Sequence, residues 1–281
     1  MSILFFLPAI GWGFMPIVAS LTAAKPINQL VGTTTMALLV SLIFSVWQPA
    51  TYNEIGFVVA FFSGCFWSIG QYLQFQSFQW IQVSEAMPIS NGTQLIGTTV
   101  IAVFVFHEWT NMHMFVVGIL GLISVILGIY LISYKDVREV GSVALKKRAL
   151  LYLGMSSIAL TIYVTLPQAF QVDGSSIFLP QALGMWCSSI VFVKKKDLCW
   201  IKICKNFMTG LCWSVANISL FLVMPILGVA KSFTFSQFAV LISLYASLFI
   251  LKIQKKPREI FIIFLGSICM TIGILLIGSI K

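Results

Sequence analysis

The chain has 281 residues, of which 59% are hydrophobic and 9% charged, with a formal net charge of +9 and a mean hydropathy of +1.00. Soluble domains carry about 25% charged residues, so this composition excludes a soluble enzyme, a disordered tail and a disulfide-stapled secreted domain. It leaves a polytopic membrane protein, and a helical one, because backbone polar groups in lipid must be satisfied within each segment.

Crossing a ~30 Å hydrocarbon core takes about 20 apolar residues. Ten stretches qualify: 3–19, 28–46, 55–75, 83–106, 112–133, 149–166, 175–193, 207–223, 231–251 and 260–280. The first has no basic n-region and no convincing small-residue cleavage site, so it reads as a helix and not as a signal peptide. It carries Trp12 and Pro16, and the second carries Gln29 and Gly32. In the third, Trp67, Gln71 and Gln74 fall at i, i+4 and i+7 and share one helix face. The fourth opens with Ser84 and Glu85 and continues with a polar stripe of Asn91, Gln94 and Thr98. The fifth holds Gly118, Gly121 and Gly128, small residues that let helices approach closely.

Residues 135–148 are charged and read as a cytoplasmic connector between a first half, 1–134, and a second, 149–281. In the second half the spans carry Gln168, Gln181, Trp213 with Asn217 four residues on, and Thr234 with Gln237. The six cysteines form no CxxC pair or His/Cys cluster, and His107 and His113 flank a loop with only Glu108. Neither a metal nor a cofactor is therefore expected. With ten spans, every base except Lys231 and Lys281 falls on one face of the membrane. The positive-inside rule makes that face cytoplasmic and puts both termini outside. The excess of bases thus reports topology in a lipid bilayer, not nucleic-acid binding.

The two halves resemble each other. Gly64-Cys65-Phe66-Trp67-Ser68 runs beside Gly210-Leu211-Cys212-Trp213-Ser214 at an offset of 146, which also aligns Gln71 with Asn217 and Ser90 with Ser236. Leu120-Gly121 meets Leu265-Gly266 and Gly128 meets Gly273 at 145, while Gln29 and Gly32 match Gln181 and Gly184 at 152. Five spans per copy is an odd number, so the second copy must enter the membrane in the opposite sense. The expected fold is all-α, with ten transmembrane helices in two inverted five-helix repeats. That design belongs to secondary transporters, whose substrate lies between the repeats near the midplane.

The spans nearly avoid ionisable groups. Glu85 is the candidate for coupling transport to protons; as a carboxylate in the first turn of a helix it also complements the helix dipole. Amides offer both donors and acceptors, and indoles offer flat apolar faces. Trp12, Gln29, Trp67, Gln71, Asn91 and Gln94 from the first half, with Gln168, Gln181, Asn217 and Gln237 from the second, suit a neutral polyol. An anionic solute would call for buried Arg or Lys.

The run Ser84-Glu85-Ala86-Met87-Pro88-Ile89-Ser90-Asn91-Gly92-Thr93-Gln94-Leu95-Ile96-Gly97-Thr98-Thr99 resembles the glucose/ribose uptake porters of bacteria, within the drug/metabolite transporter superfamily. So do Gly11-Trp12-Gly13-Phe14-Met15-Pro16, Asn28-Gln29-Leu30-Val31-Gly32-Thr33-Thr34, and Pro167-Gln168-Ala169 followed by Phe178-Leu179-Pro180-Gln181-Ala182-Leu183-Gly184. The resemblance spans both halves. It implies ten helices in inverted repeats and proton-driven uptake of a monosaccharide, glucose or ribose, across a bacterial plasma membrane. An exporter of drugs, amino acids or other metabolites on the same fold is the alternative.

Overall fold

The computed structural model describes residues 6–134, 143–172, 174–227 and 236–280. Among these the secondary structure is helical: α1 (Leu7–Leu21), α2 (Pro26–Trp47), α3 (Glu54–Ser77), α4 (Val83–Phe104), α5 (Met112–Ile132), α6 (Val143–Ala169), α7 (Gly174–Val191), a 3₁₀ turn (Lys195–Asp197), α8 (Trp200–Lys205), α9 (Phe207–Leu227), α10 (Ala239–Ile250) and α11 (Pro257–Ser279). Five of them, α2, α3, α5, α6 and α11, are long and apolar enough to cross a membrane, and α1 and α10 are shorter apolar helices. At 1.5 Å per residue, the 21 residues of α5 span about 32 Å, the thickness of the hydrocarbon core.

Local chemistry sets the helix starts. Pro26 and Pro257 occupy the first turn, where a missing N–H costs nothing. Asn53 accepts from the Gly56 N–H to cap α3, and Asn111 accepts from the Met114 N–H at 2.9 Å to cap α5. Glu259 reaches back to the Lys256 N–H at 3.0 Å to cap α11.

Three elements differ from expectation. Helix α6 begins at Val143 instead of 149, because the basic run has partners that hold it helical. The Arg148 guanidinium lies 4.8 Å from the Trp80 ring centre and 5.6 Å from that of Tyr152. The rest of the expected connector, 135–142, lies outside the described residues. The basic stretch after α7 folds into a turn and the short helix α8 instead of a plain loop. Of the ninth expected span, 231–251, helix is described over Ala239–Ile250, and Lys231 and Thr234 fall outside the described residues.

The strongest packing joins helices from opposite halves. α5 packs against α11; α3 against α6 and α7; α1 against α9 and α10; α2 against α7 and α9; α4 against α6 and α10. Glycines set the closest crossings. A Cβ on Gly64 of α3 would strike the Gln181 carbonyl, and one on Gly184 of α7 would strike the Phe61 carbonyl. Their mates in the other half behave alike: Gly32 of α2 faces the Ile203 carbonyl, and Gly210 of α9 faces the Thr33 carbonyl. Backbones meet there with no room for a side chain, the close approach that replaces hydrophobic driving force between helices in lipid. Around these crossings lies a core of Met15, Leu30, Trp67, Phe75, Phe178 and Met185. Large apolar residues such as Ile43, Val46, Phe104, Ile123 and Phe249 stay exposed, as lipid-facing positions should.

One end of the bundle gathers the charges. Lys25 pairs with Asp197 at 2.8 Å, Lys202 donates to the Thr22 carbonyl at 2.7 Å, and the Cys199 N–H donates to Asn28 at 3.0 Å. These contacts tie the α1–α2 turn to the segment joining α7 and α9.

Candidate functional site

A cavity of about 80 Å³ lies between the halves. Helix α1 supplies Trp12, Met15 and Pro16; α3 supplies Trp67, Gln71 and Gln74; α4 supplies Met87, Asn91 and Gln94. From the second half come Leu160, Tyr163 and Val164 of α6, Trp213 of α9, and Ser236, Gln237 and Ala239 at the start of α10. No Asp, Glu, Lys, Arg or His lines it among the described residues. Its polar groups are mostly amides, set among aromatic faces and apolar side chains such as Met15, Met87 and Leu160.

Side-chain partners divide these amides into fixed and available. Gln71 donates to the Gln74 carbonyl oxygen at 2.7 Å, and Gln74 donates to the Ser90 hydroxyl at 2.8 Å. This relay runs from α3 to α4 and fixes the orientation of both glutamines. Gln94 reaches only the Leu160 carbonyl, at 3.5 Å, a distance at which little is gained. Thr93, one residue earlier, meets Ser157 at 2.6 Å and joins α4 to α6 behind the cavity wall.

The aromatic residues are locked. Trp67 and Trp213, mates in the repeat alignment, meet edge to face with ring centres 5.7 Å apart. Trp213 also stacks on Phe178 at 5.6 Å and 10°. Tyr163 donates to the Asn217 side chain at 3.3 Å, and Asn217 donates to the Trp213 carbonyl at 2.9 Å. Such pairs fix the rings' positions at little entropic cost on binding.

Of the residues singled out in the sequence, Trp12, Trp67, Gln71, Asn91, Gln94 and Gln237 come together at the cavity. The other four do not line it. Gln29 is buried and donates to the Ala19 carbonyl at 2.8 Å, bracing α2 against α1. Its repeat mate Gln181 donates to Ser63 at 2.9 Å, bracing α7 against α3. Asn217 sits behind Tyr163 and Trp213. Gln168 is exposed and donates to Glu108 at 3.1 Å. Glu85 also lies off the cavity. Its carboxylate is 4% exposed and sits 2.8 Å from the Lys146 ammonium at the charged end of the bundle, joining α4 to α6.

Two cavity residues, Tyr163 and Trp213, escape a search for amides. For Trp213 the signal was in the repeat itself, since it aligns with Trp67. For Tyr163 it was the spacing: Leu160, Tyr163, Val164 and Pro167 mark one face of α6.

Comparison with known proteins adds a second line of argument. The family profile described as "Sugar transport protein" matches residues 3–280. "Putative sugar uptake protein lmo0424" of Listeria monocytogenes is 38% identical over 277 residues, covering 98% of this chain and 97% of that protein. "Glucose uptake protein GlcU" of Bacillus subtilis is 36% identical over 282 residues, covering 99% and 98%. A solved structure described as "Crystal structure of protein" shares the fold, with a TM-score of 0.63 at 14% identity over 98% of this chain and 97% of that one. From its apolar helices and its relatives together, this chain is a membrane-spanning helical protein that belongs to the sugar transport protein family.

Proposed function

We propose that this protein imports a monosaccharide, glucose or ribose, by alternating access, and that the cavity between the halves is its binding site. The observation that carries the reading is the lining itself: aromatic faces and amides from both halves, with no formal charge among the described residues. A sugar presents C–H faces to rings and hydroxyls to amides. Several hydrogen bonds near 1 kcal/mol each and a stacked ring reach the roughly −4 to −7 kcal/mol that a transporter working between ~10 μM and 1 mM needs.

The helix pairing supports the inverted-repeat part of the reading. Exchanging each helix of one half for its counterpart turns α1 with α9 into α6 with α3, α1 with α10 into α6 with α4, and α2 with α9 into α7 with α3. All of these pairs are in contact. A pathway built from two such copies has two gates of similar construction, one toward each side of the membrane.

For proton coupling we propose the Glu85–Lys146 pair. Protonating the carboxylate would dissolve the ion pair between α4 and α6, both of which line the cavity. Besides Lys146, the titratable groups around Glu85 include Lys255 and Tyr134. The test is uptake of labelled glucose and ribose into proteoliposomes, with and without an inward proton gradient. Gradient-driven accumulation of one sugar supports the reading and names the substrate. Exchange that survives in Glu85→Gln while accumulation is lost supports the coupling site. Absence of uptake of either sugar by folded protein overturns the importer.

A further inference from the structure

We infer that Trp213 reads one hydroxyl of the bound sugar through its indole N–H. The inference rests on the proposed reading of the cavity as a sugar site and assigns a specificity-determining residue within it.

Trp213 lines the cavity and is 0% exposed, yet its Nε1 has no hydrogen-bond partner among the described residues. A buried donor without an acceptor is unfavourable, and such donors are rare in folded proteins. This one is not a loose side chain that could turn to find a partner. Phe178 is stacked on its face, Trp67 abuts it edge to face, and Asn217 holds its backbone carbonyl. The residue is therefore rigid, carries an unsatisfied donor, and stands in the wall of the cavity.

The neighbouring polar groups complete the logic. Indole N–H is a donor only, so it selects an acceptor oxygen. Gln71 and Gln74 have spent one donor each on the relay to Ser90. A hydroxyl that accepts from Trp213 still has its own proton to give, and the carbonyl oxygen of a cavity amide takes it. A hydroxyl replaced by hydrogen at that position leaves the N–H as it is in the empty protein and forfeits the gain.

The test uses the full-length protein in proteoliposomes with glucose, ribose and their deoxy analogues, each lacking one hydroxyl. Wild type is expected to bind one analogue about two- to tenfold more weakly than the parent sugar on account of this bond. Trp213→Phe keeps an aromatic ring but removes the N–H. It is expected to bind the parent sugar more weakly by that factor and the critical analogue unchanged, so that discrimination at that one position disappears while the other deoxy penalties remain. Without sugar, Trp213→Phe is expected to unfold somewhat earlier than wild type, because the smaller ring leaves a cavity in a fully buried site, and the loss of discrimination is read from the deoxy series and not from stability. Trp213→His, which keeps a ring N–H, should restore part of the discrimination.

Trp213→Phe with every deoxy penalty intact would overturn the inference while leaving sugar uptake standing. Wild type that binds all single-deoxy analogues as well as the parent would overturn it without any variant, should the Phe protein fail to fold. Wild type that neither takes up nor is stabilised by glucose or ribose would remove the sugar-site reading itself, and this inference with it.

Discussion

Replacing Gly184 with alanine tests the packing argument most directly. The new Cβ would strike the Phe61 carbonyl oxygen and lie 2.8 Å from its carbon and 3.1 Å from Phe61 Cα. All of these are backbone atoms of α3, so no side-chain rotation relieves the clash, and α7 must move away from α3 by roughly 1.5 Å or more, given ordinary contact distances near 3.5–4 Å. Overpacking of this kind costs about 1–3 kcal/mol, and a rigid obstacle puts it at the upper end. Alanine recovers about 1 kcal/mol of helix propensity, which leaves a net loss near 2 kcal/mol. That corresponds to a fall of about 4–8 °C in Tm. Gly154 on α6 is the control: nothing lies within 4 Å of a Cβ there, so Gly154→Ala should be neutral or raise Tm by about 2–4 °C. Gly32→Ala, the repeat mate of Gly184, should fall as Gly184→Ala does. Thermal unfolding in detergent with a size-exclusion readout measures all three. A Gly184→Ala protein as stable as wild type, or one that moves in the same direction as Gly154→Ala, would refute the close-approach reasoning.

Three further outcomes are expected. Lys146→Met removes the ammonium from a carboxylate that is 4% exposed and should cost about 1–3 kcal/mol, between the values for surface and buried pairs; adding Glu85→Gln should recover most of it, and a double-mutant cycle with no coupling would count against the pair. Ser90→Ala deletes the hydroxyl that holds Gln74 and should raise the KM for uptake about two- to tenfold, whereas an unchanged KM would show that the relay does not orient the site. Hydrogen bonding from Lys25 first, and the charge of Lys25, Lys196 and Lys194 with it, hold the Asp197 carboxyl below the usual carboxylate range. Because the folded-state value is the lower one, the contact is intact above the ordinary carboxylate value and is lost as pH falls through the depressed one. Amide exchange in the α1–α2 turn should therefore be flat from about pH 5 to 8 and rise only in stronger acid, after correction for intrinsic exchange, and Asp197→Asn should abolish that rise.

Much of this architecture was legible from composition and spacing, since an apolar run of about 20 residues has few alternatives in lipid. The boundaries that differed depended on distant partners. Nothing near Arg148 in the chain says that Trp80 waits for it, so a basic run reads as connector until the fold brings the aromatic ring to it. The site was half legible for a similar reason. Spacing on α3 and α4 put Trp67, Gln71, Asn91 and Gln94 on consistent faces, and they meet at the cavity. An amide in a span is equally able to brace a helix, however, and Gln29 and Gln181 do so, with Ala19 and Ser63 as their acceptors. What local pattern lacks is the direction in which a face points across the other half. The internal repeat does carry that information for the Trp67–Trp213 pair.

The pairing of helices across the halves also bears on how the chain is made. Within the first half, α2 meets α3 and α4 meets α5 only lightly, whereas α3, α1 and α5 find their main partners in α6, α7, α9, α10 and α11. As the chain is made, the helices of its first half are synthesised before the surfaces they pack against exist. The glycine faces of α2 and α3 are complemented only by α8 and α7 of the second half. Gly121 and Gly128 of α5 meet Gly273 and Gly266 of α11, from the second half. Each half thus finds its main packing partners in the other, and the contacts that complete the first half are made by the second.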